Sequence, residues 1–375
     1  MIKKNKFNCQ DENRYSQLPV ANSYLFAIEN YVPGKAKIAD NTQKITKLSS
    51  NENALGASKI AIDAYIAHSK ELFRYADGSC AKLREKIAQK NNIDPKQIVC
   101  GAGSDELIAL LTSAFCGVDD EVIYSEFGFL MYPISAKRVG AKPIKVKEKN
   151  LRTDVEAILN AVNEKTKIIF IANPNNPTGS YLRSDEIELL IKKLPKNILL
   201  ILDHAYEEFV TVKDYPKALE IVNNNSNVVM LRTFSKIYGL ASLRIGWCYC
   251  DEDIAEILHK IRGPFNVSGP AQECAIASLD DDDFLQKSRD HNQKWLDIFS
   301  HEVAKLNNLQ AHDSIANFIL YDFLNQKNYQ KAQELFLKNN IILREMTSYG
   351  LNNCLRATIG DDLENNHVLE ILKQI

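Results

Sequence analysis

Four short segments of this chain set a reactive polar side chain directly behind an apolar run, and together they collect a distinctive set of functional groups. The first, Gly101-Ala102-Gly103-Ser104-Asp105-Glu106, opens a helix with free backbone N–H groups and a capping hydroxyl, a cradle for a phosphate or simply a helix cap. The second is the turn Asn173-Pro174-Asn175-Asn176-Pro177-Thr178-Gly179, where two prolines and a glycine restrict the backbone and let an amide be aimed at little entropic cost. In the third, Asp203-His204-Ala205-Tyr206, the acid follows five apolar residues. Desolvation is costly there, so Asp203 needs a cationic or N–H partner, or else it caps a helix. His204, as the neighbour of Asp203, reads as pointing elsewhere rather than as the catalytic group. The fourth is Arg232-Thr233-Phe234-Ser235-Lys236-Ile237-Tyr238-Gly239-Leu240, with Arg244 eight residues beyond Lys236. An amine, a carboxylate, a phenol, an amide, hydroxyls and a guanidinium suit a phosphorylated aromatic aldehyde better than a nucleotide. The lysine can form a Schiff base and the acid can hold a pyridine nitrogen protonated. Phenol and amide can bond a ring oxygen, while Ser, Arg and a helix start can hold the phosphate.

These segments need a scaffold that brings strand ends together, and the hydrophobic pattern supplies one. From about residue 60 to residue 250 short apolar strands alternate with helical periodicity. Helices are predicted over 82–90 and 105–115, the second with Leu107, Leu110, Leu111 and Phe115 inward. Strands are predicted over 97–100, 121–124, 167–172, 198–202 and 227–231, with the aromatic stretch Phe127-Gly128-Phe129-Leu130-Met131-Tyr132-Pro133 leading into a further helix. Such alternation predicts the α/β class, a three-layer α/β/α arrangement around a mostly parallel sheet. In such sheets ligands bind outside the carboxyl ends of the strands. After Pro264 the pattern turns helical and then adds strands at 317–321, 341–344 and 354–359, which predicts a smaller α+β lobe. The acidic run Asp280-Asp281-Asp282-Asp283 fits a helix cap or a solvated face rather than a metal site.

Composition excludes several classes. The 46 basic against 48 acidic side chains, a formal net charge of -2, give no general attraction to nucleic acid or to an anionic membrane. Any charged ligand must therefore be met by particular residues. Eight cysteines, at positions 9, 80, 100, 116, 248, 250, 274 and 354, include no C-x-x-C pair and read as reduced thiols of a cytoplasmic protein, with no metal expected. The basic start Met1-Ile2-Lys3-Lys4-Asn5-Lys6 continues into polar residues, so no secretory signal is expected. Runs such as Ile198-Leu199-Leu200-Ile201-Leu202 are too short to cross a bilayer. With 375 residues, the length prior of roughly 150 per domain predicts two or three domains.

Taken in conjunction, Leu48-Ser49-Ser50-Asn51-Glu52-Asn53, Arg74-Tyr75, the segments at 101–106 and 173–179, Asp203-x-Ala205-Tyr206, Ser235-Lys236 through Arg244, and Leu355-Arg356 resemble the fold-type I pyridoxal-phosphate aminotransferases. The likeness runs from about residue 48 to residue 360 and is closer still to the histidinol-phosphate aminotransferase family. It implies an aspartate-aminotransferase-like fold, with an N-terminal arm and part of the small domain over 1–50, a large cofactor domain over 51–265 and a small domain over 266–375. It also implies pyridoxal 5'-phosphate as cofactor, carried covalently by Lys236, with Asp203 on the pyridine nitrogen and Asn176 and Tyr206 on the ring hydroxyl. Phe129 would stack on the ring, and Ser104, Asp105, Ser235 and Arg244 would surround the phosphate. Tyr75 would reach the phosphate of the neighbouring subunit, which implies a homodimer with shared active sites. Arg356 would grip the α-carboxylate of glutamate, Arg344 would be a second cation and Tyr31 would face the substrate. Two departures are visible: Ala54 stands where a proline is common, and His204 where an acid is common.

The reaction implied is imidazole acetol phosphate plus L-glutamate to and from L-histidinol phosphate plus 2-oxoglutarate, with ping-pong kinetics, in the cytoplasm and without nucleic-acid or membrane partners. Three other readings stay open at this point. They are a general aromatic amino acid aminotransferase, a decarboxylase of phosphorylated threonine, and a catalytically silent nucleotide-binding protein with a Rossmann-like sheet.

Overall fold

A computed structural model describes residues 19–31 and 45–375. Cys9, the basic start and most of the proposed N-terminal arm lie outside the described residues. Twelve strands occur among the described residues. They are β1 (Thr46–Leu48), β2 (Ile98–Gly101), β3 (Glu121–Ser125), β4 (Lys142–Val146), β5 (Thr166–Ala172), β6 (Leu199–Asp203), β7 (Val228–Thr233), β8 (Gly246–Tyr249), β9 (Gln310–Ala311), β10 (Phe318–Asp322), β11 (Ile341–Glu345) and β12 (Cys354–Thr358).

Seven of them form a sheet in the order β2-β8-β7-β6-β5-β3-β4. Pairings among β7, β6, β5, β3 and β4 are parallel, and β8 runs antiparallel between β2 and β7. Side chains alternate across the sheet, and their neighbours divide accordingly. Ile169, Ile171, Leu200, Leu202, Val228 and Met230 join one buried cluster with Leu83, Ile187 and Leu190 from helices Ala81–Asn91 and Ser184–Lys193. Ile168, Phe170, Leu199, Ile201, Val229 and Leu231 join another, with Leu107, Ile108 and Leu111 of helix Ser104–Phe115 and Leu258 of helix Glu252–Ile261. Burial on both faces explains why these strands read as unbroken apolar runs. It also makes the sheet the middle of three layers. In helix Ser104–Phe115, Ile108 takes a fully buried place, while Leu110 and Phe115 pack at the margin of the cluster.

Strand β4 carries no such signature. Its sequence Lys142-Pro143-Ile144-Lys145-Val146 puts a proline and two lysines on a sheet edge, where a missing N–H and exposed charge are tolerated. The other five strands form a second sheet, β1-β11-β12-β10-β9. Here β1 pairs parallel with β11, so a segment from before the large sheet is built into the sheet made by the last part of the chain. The long helix Asp282–Val303 covers it with Trp295, Phe299 and Val303. That helix begins on the acidic run, where the Asp281 carboxylate accepts a hydrogen bond from the Phe284 N–H.

Candidate active site

Parallel pairing sets Ala172 of β5 level with Asp203 of β6, and Asp203 level with Leu231 of β7. The turns that follow these strands, together with helix Ser104–Phe115 after β2, therefore open onto one cleft. Ser104, Asp105, Phe129, Asn176, Asp203, Tyr206, Ser235, Lys236 and Arg244 all line it, and Tyr31, Arg344 and Arg356 complete its wall. Tyr75 is not among them: it is 85% exposed on the surface of its own chain and stacks on Phe265, with ring centroids 4.6 Å apart.

At the floor lies Asp203. Its Oδ2 accepts a hydrogen bond from the Tyr132 hydroxyl at 2.8 Å, and its Oδ1 accepts one from the Ala205 N–H at 3.2 Å. Burial pushes this carboxyl above the usual carboxylate range, while the bonds from Tyr132 and Ala205 pull it back. His204 points away from the cleft. Its ring is fully buried, with Nδ1 2.9 Å from Glu207 Oε2 and 3.0 Å from the Tyr215 hydroxyl.

Lys236 lines the same cleft. Its amine lies 5.5 Å from the centre of the Tyr206 ring and donates a long bond of 3.4 Å to the Ser50 carbonyl. Burial, aided by the charge of Arg356, pushes the amine from 10.5 down to about 8. At neutral pH that raises the unprotonated fraction about three-hundred-fold over an ordinary lysine, to roughly one in ten. The Tyr206 hydroxyl accepts a bond from Asn51 Nδ2 at 2.9 Å, and burial pushes the phenol up to about 12.

The phosphate-sized end of the cleft is formed by Arg244, whose Nη1 donates to Ser235 Oγ at 3.3 Å and whose Nη2 donates to Asp105 Oδ2 at 3.2 Å. Gly103, at φ +80 and ψ 171, takes a backbone conformation that side-chain-bearing residues rarely adopt, and it lies close against Arg244 Nη2. The far end is cationic. Arg344 and Arg356 face each other directly across β11 and β12, and both are buried. Arg356 donates through Nη2 to the Ser49 carbonyl at 3.0 Å and through Nη1 to Asn176 Oδ1, while its Nε is buried with no hydrogen-bond partner among the described residues. The Arg344 guanidinium sits 5.9 Å from the Tyr31 ring.

Two residues of this site were not singled out for a role by the sequence. Asn51 lies inside the Leu48 to Asn53 motif, in a left-handed conformation with φ 56 that aims its amide at Tyr206. Tyr132 lies in the aromatic stretch, three residues after Phe129, as the second residue of helix Met131–Arg138. Its ring stacks flat on Phe170 at 4.5 Å, which fixes the hydroxyl under Asp203.

The donor set fits pyridoxal phosphate. A buried carboxylate bonded, among the described residues, only by a phenol and a backbone N–H calls for a cationic N–H partner such as a protonated pyridine. A depressed lysine amine, an aromatic wall at Phe129 and the Arg244–Ser235 cradle answer to the aldehyde, the ring and the phosphate.

Comparison with known proteins agrees. The family model for aminotransferase class I and II matches residues 43–372. A histidinol-phosphate aminotransferase of Rhodospirillum centenum is 43% identical over 355 residues, covering 94% of this chain and 98% of the relative. One from Paramagnetospirillum magneticum is 44% identical over 358 residues, covering 95% and 98%. Among solved structures, histidinol-phosphate aminotransferase from Sinorhizobium meliloti in complex with pyridoxal-5'-phosphate superposes with a TM-score of 0.86 at 25% identity, covering 94% of this chain and 98% of that one.

Proposed function

The chain belongs to the class I and II aminotransferases, and we propose that its site moves an amino group between L-histidinol phosphate and 2-oxoglutarate, giving imidazole acetol phosphate and L-glutamate, in either direction. It is a pyridoxal-phosphate-dependent transaminase of histidine biosynthesis. When bound, pyridoxal phosphate supplies the electron sink for the pair left on the substrate carbon after its proton is removed.

The chain's own groups do the rest. Lys236 would hold the cofactor through its amine, which burial keeps at about 8 when free. Once released, the same amine carries the proton away from the substrate carbon, a task suited to a base poised close to neutral pH. Asp203 would keep a proton on the ring nitrogen, and Tyr132 keeps Asp203 in place. Asn176 and Tyr206 would bond the ring hydroxyl, and Ser235, Arg244 and the start of helix Ser104–Phe115 would hold the phosphate.

The observation that carries the substrate assignment is the buried pair Arg344 and Arg356, directly opposite each other in one cleft with Lys236. Two planar, charged forks in one cleft are suited to binding carboxylate or phosphate oxygens. Both proposed substrates, glutamate and histidinol phosphate, bring two negative charges; phenylalanine brings one. A donor panel against 2-oxoglutarate tests this. Histidinol phosphate should exceed phenylalanine in kcat/KM, and a preference for phenylalanine would overturn the assignment in favour of an aromatic aminotransferase.

The active unit in this reading is a cytoplasmic homodimer in which Tyr75 of one protomer completes the phosphate site of the other. Supporting it, Leu72 and Phe73 flank Tyr75 on the surface at 63% and 74% exposure, an apolar face suited to a second copy. Among the described residues no helix is long and apolar enough to cross a membrane. We also place the first division of the chain at about residue 50, since β1 joins the second sheet; the second, expected at about 265, fits better near 280, because helix Gly269–Ser278 packs with the core of the large sheet and the helices that cover the second sheet begin at Asp282.

A further inference from the structure

Glu148 lies outside the cleft, on the segment after β4, and none of the chemistry above uses it. Its Oε1 nevertheless gathers three donors from two different turns. The Ser125 hydroxyl donates at 2.5 Å and the Phe127 N–H at 3.2 Å, both from the turn that leads from β3 to Phe129. The third is the Asn175 amide at 3.2 Å, from the turn after β5 that carries Asn176. Ser125 also accepts a bond from the Thr153 hydroxyl at 3.0 Å, and the second N–H of the Asn175 amide goes to Thr178 Oγ1 at 3.0 Å, so each tether is itself held.

The other oxygen, Oε2, is buried and has no hydrogen-bond partner among the described residues. Burial pushes this carboxyl above its usual range, partly offset by the bond from Ser125. A side chain with one oxygen left unsatisfied is costly to bury. Its retention makes sense through what the other oxygen joins: the turn presenting Phe129 and the turn presenting Asn176 follow different strands, and one carboxylate oxygen bonds both directly, although both must address one ring.

We infer that Glu148 is a positioning residue, which through Oε1 locks the Phe129 turn against the Asn176 turn and so sets the ring-stacking side chain and the ring-oxygen amide in one register. The role needs an acceptor oxygen and not a charge. Groups that orient a binding shell in this way commonly change affinity by about ten- to a hundredfold when removed.

The inference rests on the aminotransferase reading of the cleft, and the experiment separates the two. Unaltered protein, Glu148→Gln and Glu148→Ala would be stripped of cofactor and titrated with pyridoxal phosphate, recording the Kd by fluorescence quenching and the visible circular dichroism of the bound form. Gln offers a carbonyl oxygen to the same three donors, so its Kd should stay within about threefold of the unaltered protein and its dichroism should be unchanged. Ala should weaken binding by about tenfold or more and alter the dichroism, because the ring's chiral surroundings have shifted. If Ala does not fold, Asn175→Ser, which cuts the tether to the second turn together with the Asn175–Thr178 bond inside that turn, must give the same dichroism change, with Thr178→Val as the control for the second bond. Glu148→Ala matching the unaltered protein, or Gln as impaired as Ala, would overturn the inference. Failure of the unaltered protein to take up pyridoxal phosphate would instead count against the reading of the cleft.

Discussion

Tyr132 donates its hydroxyl proton to Asp203 Oδ2 at 2.8 Å from a side chain that is itself fully buried and stacked on Phe170. An acid at the end of an apolar strand is thereby given a fixed, neutral donor on one oxygen, leaving its charge to answer another partner. Burial alone would drive the carboxyl toward its protonated form, and the Tyr132 bond opposes that drift.

Removing the bond should therefore move the acid limb of the pH profile. In Tyr132→Phe the Asp203 carboxyl rises further, so a larger fraction is protonated at any given pH below neutrality. The acid limb of kcat should shift to higher pH, with kcat at its plateau lowered by about one order of magnitude. A pH–rate profile from 5 to 9 checks the sign. A shift to lower pH, or none, would show that Asp203 is held ionised by other groups.

Lys236 makes a second pH prediction of opposite form. Capture of the cofactor requires the unprotonated amine, which becomes the major form above about 8. The rate at which stripped protein develops the visible band should rise with pH and level off beyond that value. Stopped-flow mixing at fixed cofactor concentration measures it. An inflection near the ordinary lysine value of 10.5 would mean that burial does not depress this amine. Lys236→Ala, folded by far-ultraviolet dichroism, should show neither the band nor turnover.

The two arginines should separate by substrate. Arg356 is bonded to Ser49 and Asn176 and is the arginine proposed for the glutamate α-carboxylate, whereas Arg344 stands beside Tyr31. Arg356→Lys keeps the charge but loses the planar fork, so kcat/KM for glutamate should fall by about ten- to a hundredfold. Arg344→Lys should cost more with histidinol phosphate than with glutamate. Steady-state kinetics of each half-reaction decides, and equal losses for both donors would remove the division of labour.

Much of this site was legible because each strand end places a polar residue after a buried run. Asp203 ends β6, while Lys236, Asn176 and Ser104 follow β7, β5 and β2, and the parallel register brings the ends of β5, β6 and β7 level. Tyr132 was not legible as a partner of Asp203, since an aromatic in an aromatic-rich helix start looks like core, and only its stacking on Phe170 aims the hydroxyl. Asn51 gave no sign because its direction depends on a left-handed backbone and on Thr358, 307 residues away, which accepts a bond from its N–H. Strand β4 was missed for a different reason: an edge strand needs no continuous apolar face, and Pro143 reads as a break. Strand β1, three residues long, is defined by its partner β11 and by nothing local.

Tyr75 supplies the sharpest test of subunit cooperation. It is absent from the cleft of its own chain and lies 85% exposed, so its proposed contact with the phosphate can be made only across a dimer. Tyr75→Ala should weaken cofactor binding in the homodimer by about tenfold, the loss of one hydrogen bond to a charged group. Mixing is more decisive than affinity. A dimer assembled from one Tyr75→Ala chain and one Lys236→Ala chain contains, in this arrangement, one cleft with both defects and one with neither. Activity should therefore reappear on mixing two impaired proteins at cofactor concentrations where neither alone turns over. If Tyr75 instead folded back on its own cleft, every cleft in the mixed dimer would carry one defect. No recovery after subunit exchange, verified by mass spectrometry of the mixed species, would then place Tyr75 outside the shared site and leave the phosphate to Arg244, Ser235 and the helix start alone.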